Sequence, residues 1–328
     1  MTKYHFVTTP IYETWSKTSL NLLAGEWCRI FKDENITNKF KYKIAEYHWD
    51  DRSKYLNDSK YLRNINSKVL SLLTKELNIY HRTNYSEKFW KILIGPWLHK
   101  FIHIIYDKYE VLTQINNAYE IDNTYVVNLD SQNLVPTNTK AFTLLMRDDL
   151  WHHNIFSKIL TNFFNISYNL IDLDRKNESL YLRSLDKKLK KSPKTSFLYK
   201  FESLSKKLFN IKEHKFFVKN SYLSIKDEIL LNLYLNKSLS FNFYTPENNF
   251  YIHKLRRDNF IKNSNQFDDK FLNVLMFMIK DQMPSIYLEA FNELGMSIKN
   301  LKWPHNPKKI FTANAYEFDE TFKLYSAK

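Results

Sequence analysis

Two short stretches gather most of the side chains that could do chemistry. The first is Gly25-Glu26-Trp27-Cys28-Arg29, directly after an apolar run. Just past the carboxyl end of a strand, Glu26 could act as general base on a hydroxyl or orient a substrate, with Trp27 as a flat apolar neighbour. The competing reading is an ordinary carboxylate at a helix N-terminus beside Arg29. The second stretch is Tyr47-His48-Trp49-Asp50-Asp51-Arg52. His48 can carry a proton near neutral pH, Asp50 or Asp51 can orient it or serve as base, and Arg52 can neutralise an anionic group. Here the competing reading is a helix cap by Asp50 or Asp51, a surface Arg52 and a packed Trp49. Glu26, His48, Asp50 and Asp51 are thus the catalytic candidates, and Trp27, Trp49 and Arg52 are substrate-binding candidates.

A third group is Ile94-Gly95-Pro96-Trp97, where a freed carbonyl at Gly95 and the wide Trp97 ring could line a saccharide pocket; equally, Trp97 could be core. On the same stretch His99, His103 and Asp107 fall at i, i+4 and i+8, a spacing that helical metal pairs use. That face lies opposite the apolar stripe, so a solvated surface is expected and no metal site is assigned. Adjacent His152 and His153 cannot both face one centre. Cys28 reads as a small core residue rather than a nucleophile.

The elements that must hold these groups alternate between strand and helix. Strands are expected at Tyr4 to Thr9, Ser19 to Gly25, Lys43 to Tyr47, Thr124 to Leu129 and Lys309 to Thr312. Leu62, Ile65, Val69, Leu72, Leu73 and Leu77 repeat with the helical period, as do Trp90, Ile94, Trp97, Phe101, Ile105, Tyr109 and Leu112. Pro96 predicts a kink or break in the second of these helices. Further helices are expected around Asp149 to Phe163, over Phe267 to Ile279, and over Ser285 to Leu294 with Gly295 as C-cap. A β-α unit with no succeeding strand closes the chain, which suggests an interrupted domain. The pattern is that of an α/β protein, a Rossmann-like sheet with a helical elaboration over residues 53–118.

Composition narrows the function. The 328 residues contain 3 glycines, so neither a P-loop nor a GxGxxG dinucleotide fingerprint can be written. One cysteine excludes an internal disulfide and a multi-cysteine zinc site. The formal net charge is +14, carried by 40 Lys and 9 Arg. Specific nucleic-acid recognition favours the planar Arg fork, so no specific nucleic acid is expected. Residues 175–220 hold 14 Lys or Arg against 4 Asp or Glu. They form a solvated surface or a contact with an anionic membrane. MTKYHFVTTP has no signal-peptide apolar region, and the chain reads as cytoplasmic, with room for peripheral binding at the inner membrane face.

The segments LLAGEWCRIF, YHWDDR, YLRNINSKVLSLLTKELN, YSEKFWKILIGPWLHKFIHIIYD, PSIYLEAF and PKKIFTANAYEFDETFKLYSAK resemble the transferases of bacterial O-antigen and surface-polysaccharide biosynthesis first described in Leptospira. The resemblance spans both ends and weakens over residues 170–260. It implies the N-terminal portion of a longer, two-domain, glycosyltransferase-B-like protein, with residues 1–300 as a Rossmann-like domain and 301–328 as the start of a crossover or C-terminal domain. Such an N-terminal domain receives a saccharide or lipid-linked saccharide acceptor. The nucleotide-sugar donor is then expected in the other half, with no cofactor held here.

Overall fold

The computed structural model describes residues 2–29, 38–173, 202, 204, 211–239, 257–261, 267–299 and 301–328. Strands β1 (Lys3–Val7), β2 (Asn21–Leu23), β3 (Tyr42–Ile44), β4 (Glu120–Val127) and β5 (Tyr168–Ile171) form a parallel sheet in the order β3-β2-β1-β4-β5. Parallel central strands need apolar residues on both faces, and Phe6, Val7, Leu22 and Leu23 are all buried. The edge strands β3 and β5 are short and partly exposed. β5 carries little apolar signal, and no strand is expected there from the sequence. Because the chain turns back past β1 to place β4 on its other side, the order reverses between β1 and β4. Doubly wound sheets place their ligand crevice at such a reversal, outside the carboxyl ends of the strands.

The crossover from β3 to β4 is built from two long helices, α1 (Arg52–His81) and α2 (Glu87–Ala118), which pack on each other. Asp51 caps α1, its carboxylate accepting from Ser53 N at 2.8 Å and Lys54 N at 3.2 Å, and Ser86 caps α2. Leu62, Ile65, Val69, Leu73 and Leu77 form the buried stripe of α1. One face of α2, from Phe89 to Ile115, is buried, and of the kink or break expected at Pro96 the break does not occur. The helix runs unbroken through Gly95 and Pro96, although an internal proline costs roughly 3 kcal/mol. Trp90, Leu93, Ile94, Trp97, Leu98 and Phe101 around it are fully buried, and a single such side chain contributes about 1.5–3 kcal/mol on burial. Packing outweighs the missing hydrogen bond.

Between β4 and β5 lie α3 (Thr139–Leu145) and α4 (Asp149–Phe163). Beyond β5 come β6 (Phe216–Val218), α5 (Ile225–Asn236), α6 (Lys270–Gln282), α7 (Phe291–Ser297), β7 (Lys309–Phe311) and α8 (Glu320–Ala327). Gly295 lies inside α7 instead of capping it, with Ile298 in the C-cap position. β6 and β7 pair in parallel as a second sheet over a small core of Phe217, Trp303, Ala315 and Phe322. The last helix packs on α2 with Phe322 and Leu324 buried, whereas Phe311 of β7 is exposed. α8 also joins a fully enclosed polar network. Lys323 Nζ lies 2.8 Å from Glu320 Oε2 and donates to Tyr287 OH and Thr139 Oγ1, while Tyr287 OH and Thr139 N donate to Glu320. Most of the basic stretch 175–220, including KKLKKSPK, lies outside the described residues. Among the described residues no helix is long and apolar enough to cross a membrane.

Candidate active site

Parallel pairing brings the carboxyl ends of β1, β2 and β3 side by side, and with them the two stretches singled out in the sequence. The ladder continues past the strands, with Ala24 N donating to Val7 O and Ala45 N to Leu23 O. Trp27 folds back so that its Nε1 donates to Thr8 O at 3.0 Å. A Cβ on Gly25 would overlap the six-membered ring of Trp27, so this close approach requires glycine. The Trp27 ring meets Tyr47 edge-on at 5.8 Å, joining the two stretches. Glu26 turns away to the surface, where Arg29 donates to both its oxygens at 2.5 and 3.0 Å. Those bonds lower its carboxyl pKa and leave it an exposed helix-terminal ion pair. Burial pushes the Cys28 thiol up to about 12, which suits a core residue and not a nucleophile.

His48 is the buried centre of the second stretch. Its Nε2 is 3.2 Å from Asp107 Oδ1, which also accepts from Tyr47 OH at 2.8 Å; Lys108 Nζ donates to Asp107 Oδ2 at 2.8 Å. Burial alone would raise the Asp107 carboxyl, but the Lys108 charge and these hydrogen bonds outweigh it and hold the group well below the usual carboxylate range. An ionised Asp107 can only accept, so Nε2 of His48 carries the hydrogen. The other nitrogen, Nδ1, is buried and has no hydrogen-bond partner. Burial and the negative charge of Asp107 raise the Tyr47 phenol, which stays protonated.

A second shelf of charge adjoins His48. Trp49 Nε1 donates to Asp58 Oδ2 at 3.0 Å, and Lys54 Nζ bridges Asp58 Oδ2 at 2.9 Å and Glu110 Oε2 at 2.7 Å. Burial would lower the Lys54 pKa, yet its two carboxylate partners raise it overall, so the ammonium persists. The Trp49 ring stacks on Tyr106 at 6.1 Å and lies 4.6 Å from His48. Trp27, Tyr47, Trp49, Tyr55 and Tyr106 thus form an aromatic wall around ionised groups.

Asp50 is exposed, and Asp51 is occupied as the α1 cap. Asparagine ranks with aspartate at that position, so Asp51→Asn is expected to leave stability nearly unchanged, while Asp51→Ala costs about 1 kcal/mol. Urea denaturation of the two variants checks the difference. Arg52 is exposed, its guanidinium 5.3 Å from the Tyr55 ring. Gly95 and Trp97 are not brought to this edge. Trp97 is fully buried and stacks on Phe101 at 5.0 Å, ten residues or about 15 Å of helix from Asp107. The His99–His103–Asp107 ladder divides: His103 Nδ1 donates to His99 O at 2.7 Å, and Asp107 serves His48.

Sequence reasoning misses Lys54, Asp58, Lys108 and Glu110. Two of them leave a trace, since Asp58 falls one turn before Leu62 on the apolar stripe of α1 and Lys108 sits between Ile105 and Leu112 of α2. Both are buried. It also sets aside His153, which spans the sheet reversal. Its Nε2 accepts from Val127 N at 3.1 Å and its Nδ1 pairs with Thr8 Oγ1 at 3.0 Å, tying the ends of β4 and β1 together. Burial lowers His152 and His153 from 6.5 to about 4. Between these values the unfolded chain binds protons that the folded chain does not. The associated stability is therefore complete above about pH 6.5 and is lost as pH falls toward 4, by up to about 3 kcal/mol per ring. Denaturation curves across that interval are expected to show the decline, and His153→Gln to reduce it.

A cavity of about 910 Å³ lies elsewhere, lined by Tyr109, Asn116, Asn117, Phe164, Asn273 and Phe277 among others; it shares no residue with the His48 cluster. The cluster, not the cavity, lies beyond the carboxyl ends of the strands, on the β2–β3 side of the β1–β4 reversal. No curated protein and no solved structure matches the chain. A family model does, over residues 4–328, and by that match the chain belongs to the LIC12162 family of transferases.

Proposed function

We propose that the chain is the acceptor side of a glycosyltransferase-B-like enzyme that transfers a sugar to a saccharide hydroxyl in bacterial surface-polysaccharide or O-antigen biosynthesis. The observation that carries this reading is His48 in the loop after β3, with Nε2 fixed by an ionised Asp107, its other nitrogen unpartnered, the Trp49 and Tyr47 rings against it and Trp27 edge-on to Tyr47. Aromatic faces suit the apolar faces of sugars, and an imidazole oriented by a carboxylate suits removal of a hydroxyl proton. In the reaction the acceptor oxygen bonds to the anomeric carbon of a nucleotide-sugar, the bond from that carbon to the phosphate oxygen breaks, and the nucleotide leaves. The hydroxyl proton passes to the His48 centre. Lys54 and Lys108 keep the neighbouring carboxylates neutralised so that they do not repel the approaching donor phosphates.

With three glycines the chain carries no glycine-rich phosphate-binding motif, which supports a donor site in another domain. A lipid-linked acceptor would bring the protein to the inner face of the membrane, where the basic residues 175–220 would meet anionic headgroups. The test is nucleotide release by the native protein from a panel of nucleotide-sugars, with and without mono- and oligosaccharides. Acceptor-dependent release is expected; release indifferent to every saccharide would contradict the proposal.

A further inference from the structure

The charges around His48 present a feature that proton transfer alone does not use. One ring nitrogen of His48, a carboxylate oxygen of Asp58 and one of Glu110 lie within 4.8 Å of one another. They come from three elements, the end of β3, the first turns of α1 and the middle of α2, so the grouping is made by the tertiary fold and not by local sequence. With the Nε2 hydrogen on Asp107, the His48 ring offers a lone pair at Nδ1 that no donor in the protein meets, although His48 is only 5% exposed. A buried imidazole lone pair that no donor meets is unfavourable, and the same ring stands beside two carboxylates that the Lys54 ammonium bridges.

We propose that His48, Asp58 and Glu110 form a binding site for a divalent transition-metal ion of the Zn²⁺ or Mn²⁺ class. One imidazole nitrogen and two carboxylate oxygens are a donor set that such ions accept, and three protein ligands leave positions open for an oxygen from solvent or substrate. The outer partners are those of metal-bound histidines: the carboxylate of Asp107 receives the second ring N–H and fixes which nitrogen binds. Trp49 Nε1 does the same for Asp58. Tetrahedral donors around zinc are about 3.3 Å apart, so the set must contract on binding, and the Glu110 side chain, 19% exposed, is its most accessible member. Lys54 holds the place of the ion. Its ammonium bridges the same two carboxylates, and its side chain is 32% exposed, so it can swing out to solvent.

The inference rests on the transfer reading for its purpose and adds the agent. In the ion-bound state the acceptor hydroxyl would meet an ion on His48, which lowers the pKa of a bound hydroxyl, and its proton would pass to solvent; with the site empty the bare imidazole takes that proton.

The test uses Co²⁺ as a spectroscopic probe on the full chain, read by visible absorption and by thermal shift. The unmodified protein is expected to take up one Co²⁺ per chain, and Lys54→Met to bind it several-fold more tightly because the competing ammonium is gone. In the Lys54→Met background, His48→Ala and Glu110→Gln are each expected to weaken binding by more than the roughly 10–100-fold that loss of an outer partner costs. Glu110→Gln serves if the buried His48 variant fails to fold. No uptake by the unmodified chain, or uptake that Glu110→Gln leaves unchanged, would overturn the proposal. Because neither readout involves transfer, an enzyme that loses activity in His48 variants yet binds no Co²⁺ would refute the ion and leave the transfer reading standing.

Discussion

Replacing His48 with glutamine is expected to lower transfer by roughly 100-fold or more, the usual worth of a positioned proton acceptor, while the protein stays folded. Glutamine can still donate to Asp107 Oδ1 across the space that Nε2 occupies at 3.2 Å, and it occupies a comparable volume beside Tyr47, Trp49 and Tyr106. It has no group that titrates near neutrality. Asp107→Asn tests the same centre from behind. It keeps the shape of the carboxylate but removes the charge that dictates which ring nitrogen bears hydrogen, and it deprives Lys108 of its 2.8 Å partner. Activity should fall through orientation, with a shifted pH profile, and stability should fall too because a nearly buried ammonium is left without its counter-charge. The measurements are initial rates of acceptor-dependent nucleotide release across pH, set beside urea denaturation of each variant.

The largest expected loss of stability lies far from that centre, at Glu320. Its side chain is 3% exposed and that of Lys323 is fully buried, so Glu320→Ala leaves an ammonium in the interior with only Tyr287 OH and Thr139 Oγ1 as neutral partners. Breaking an enclosed pair in this way costs roughly 3–5 kcal/mol. Burial already lowers the Lys323 pKa even with Glu320 present. The mutant is therefore expected to favour a neutral lysine and to recover part of its stability at high pH. Replacing both residues by apolar ones of similar volume should restore most of the loss, since neither charge is then stranded. Urea denaturation of the single and double variants separates these outcomes. A Glu320→Ala protein within about 0.5 kcal/mol of the parent, the range of ordinary surface substitutions, would show that the network does not hold α8 to the body of the fold.

How far the sequence reveals this architecture depends on the physical signal each element carries. The buried strands β1, β2 and β4 are legible because sheet interiors demand β-branched and aromatic runs, and α1 and α2 because their apolar residues recur at the helical period. β5 and β6 are short, and the β5 sequence Tyr168-Asn169-Leu170-Ile171 alternates too weakly to stand out. Of the kink or break expected at Pro96, the break follows a local rule that burial of six large side chains overrides.

For the site, the two stretches converge as neighbouring parallel strands require. Which side chain faces inward is not legible, because a glutamate beside an arginine reads the same in sequence whether it forms a surface pair, as Glu26 and Arg29 do, or a reacting pair. The partners of His48 come from α1 and α2, ten and about sixty residues away. Only the fold of the crossover brings them there. Asp107 stands out in the sequence by its spacing from His99 and His103, yet its partner is across the fold and not along the helix.

The central claim is that an acceptor binds at the carboxyl ends of β2 and β3, and amide hydrogen exchange of the native protein with and without saccharide acceptors tests it most directly. Slowed exchange is expected over residues 25–29 and 45–55 and in the α2 turn that carries Asp107 and Glu110. Exchange of the helices lining the 910 Å³ cavity around Asn117 and Asn273 should be little changed. Protection confined to that cavity, with the segment from Tyr47 to Arg52 unaffected by an acceptor that supports transfer, would contradict it.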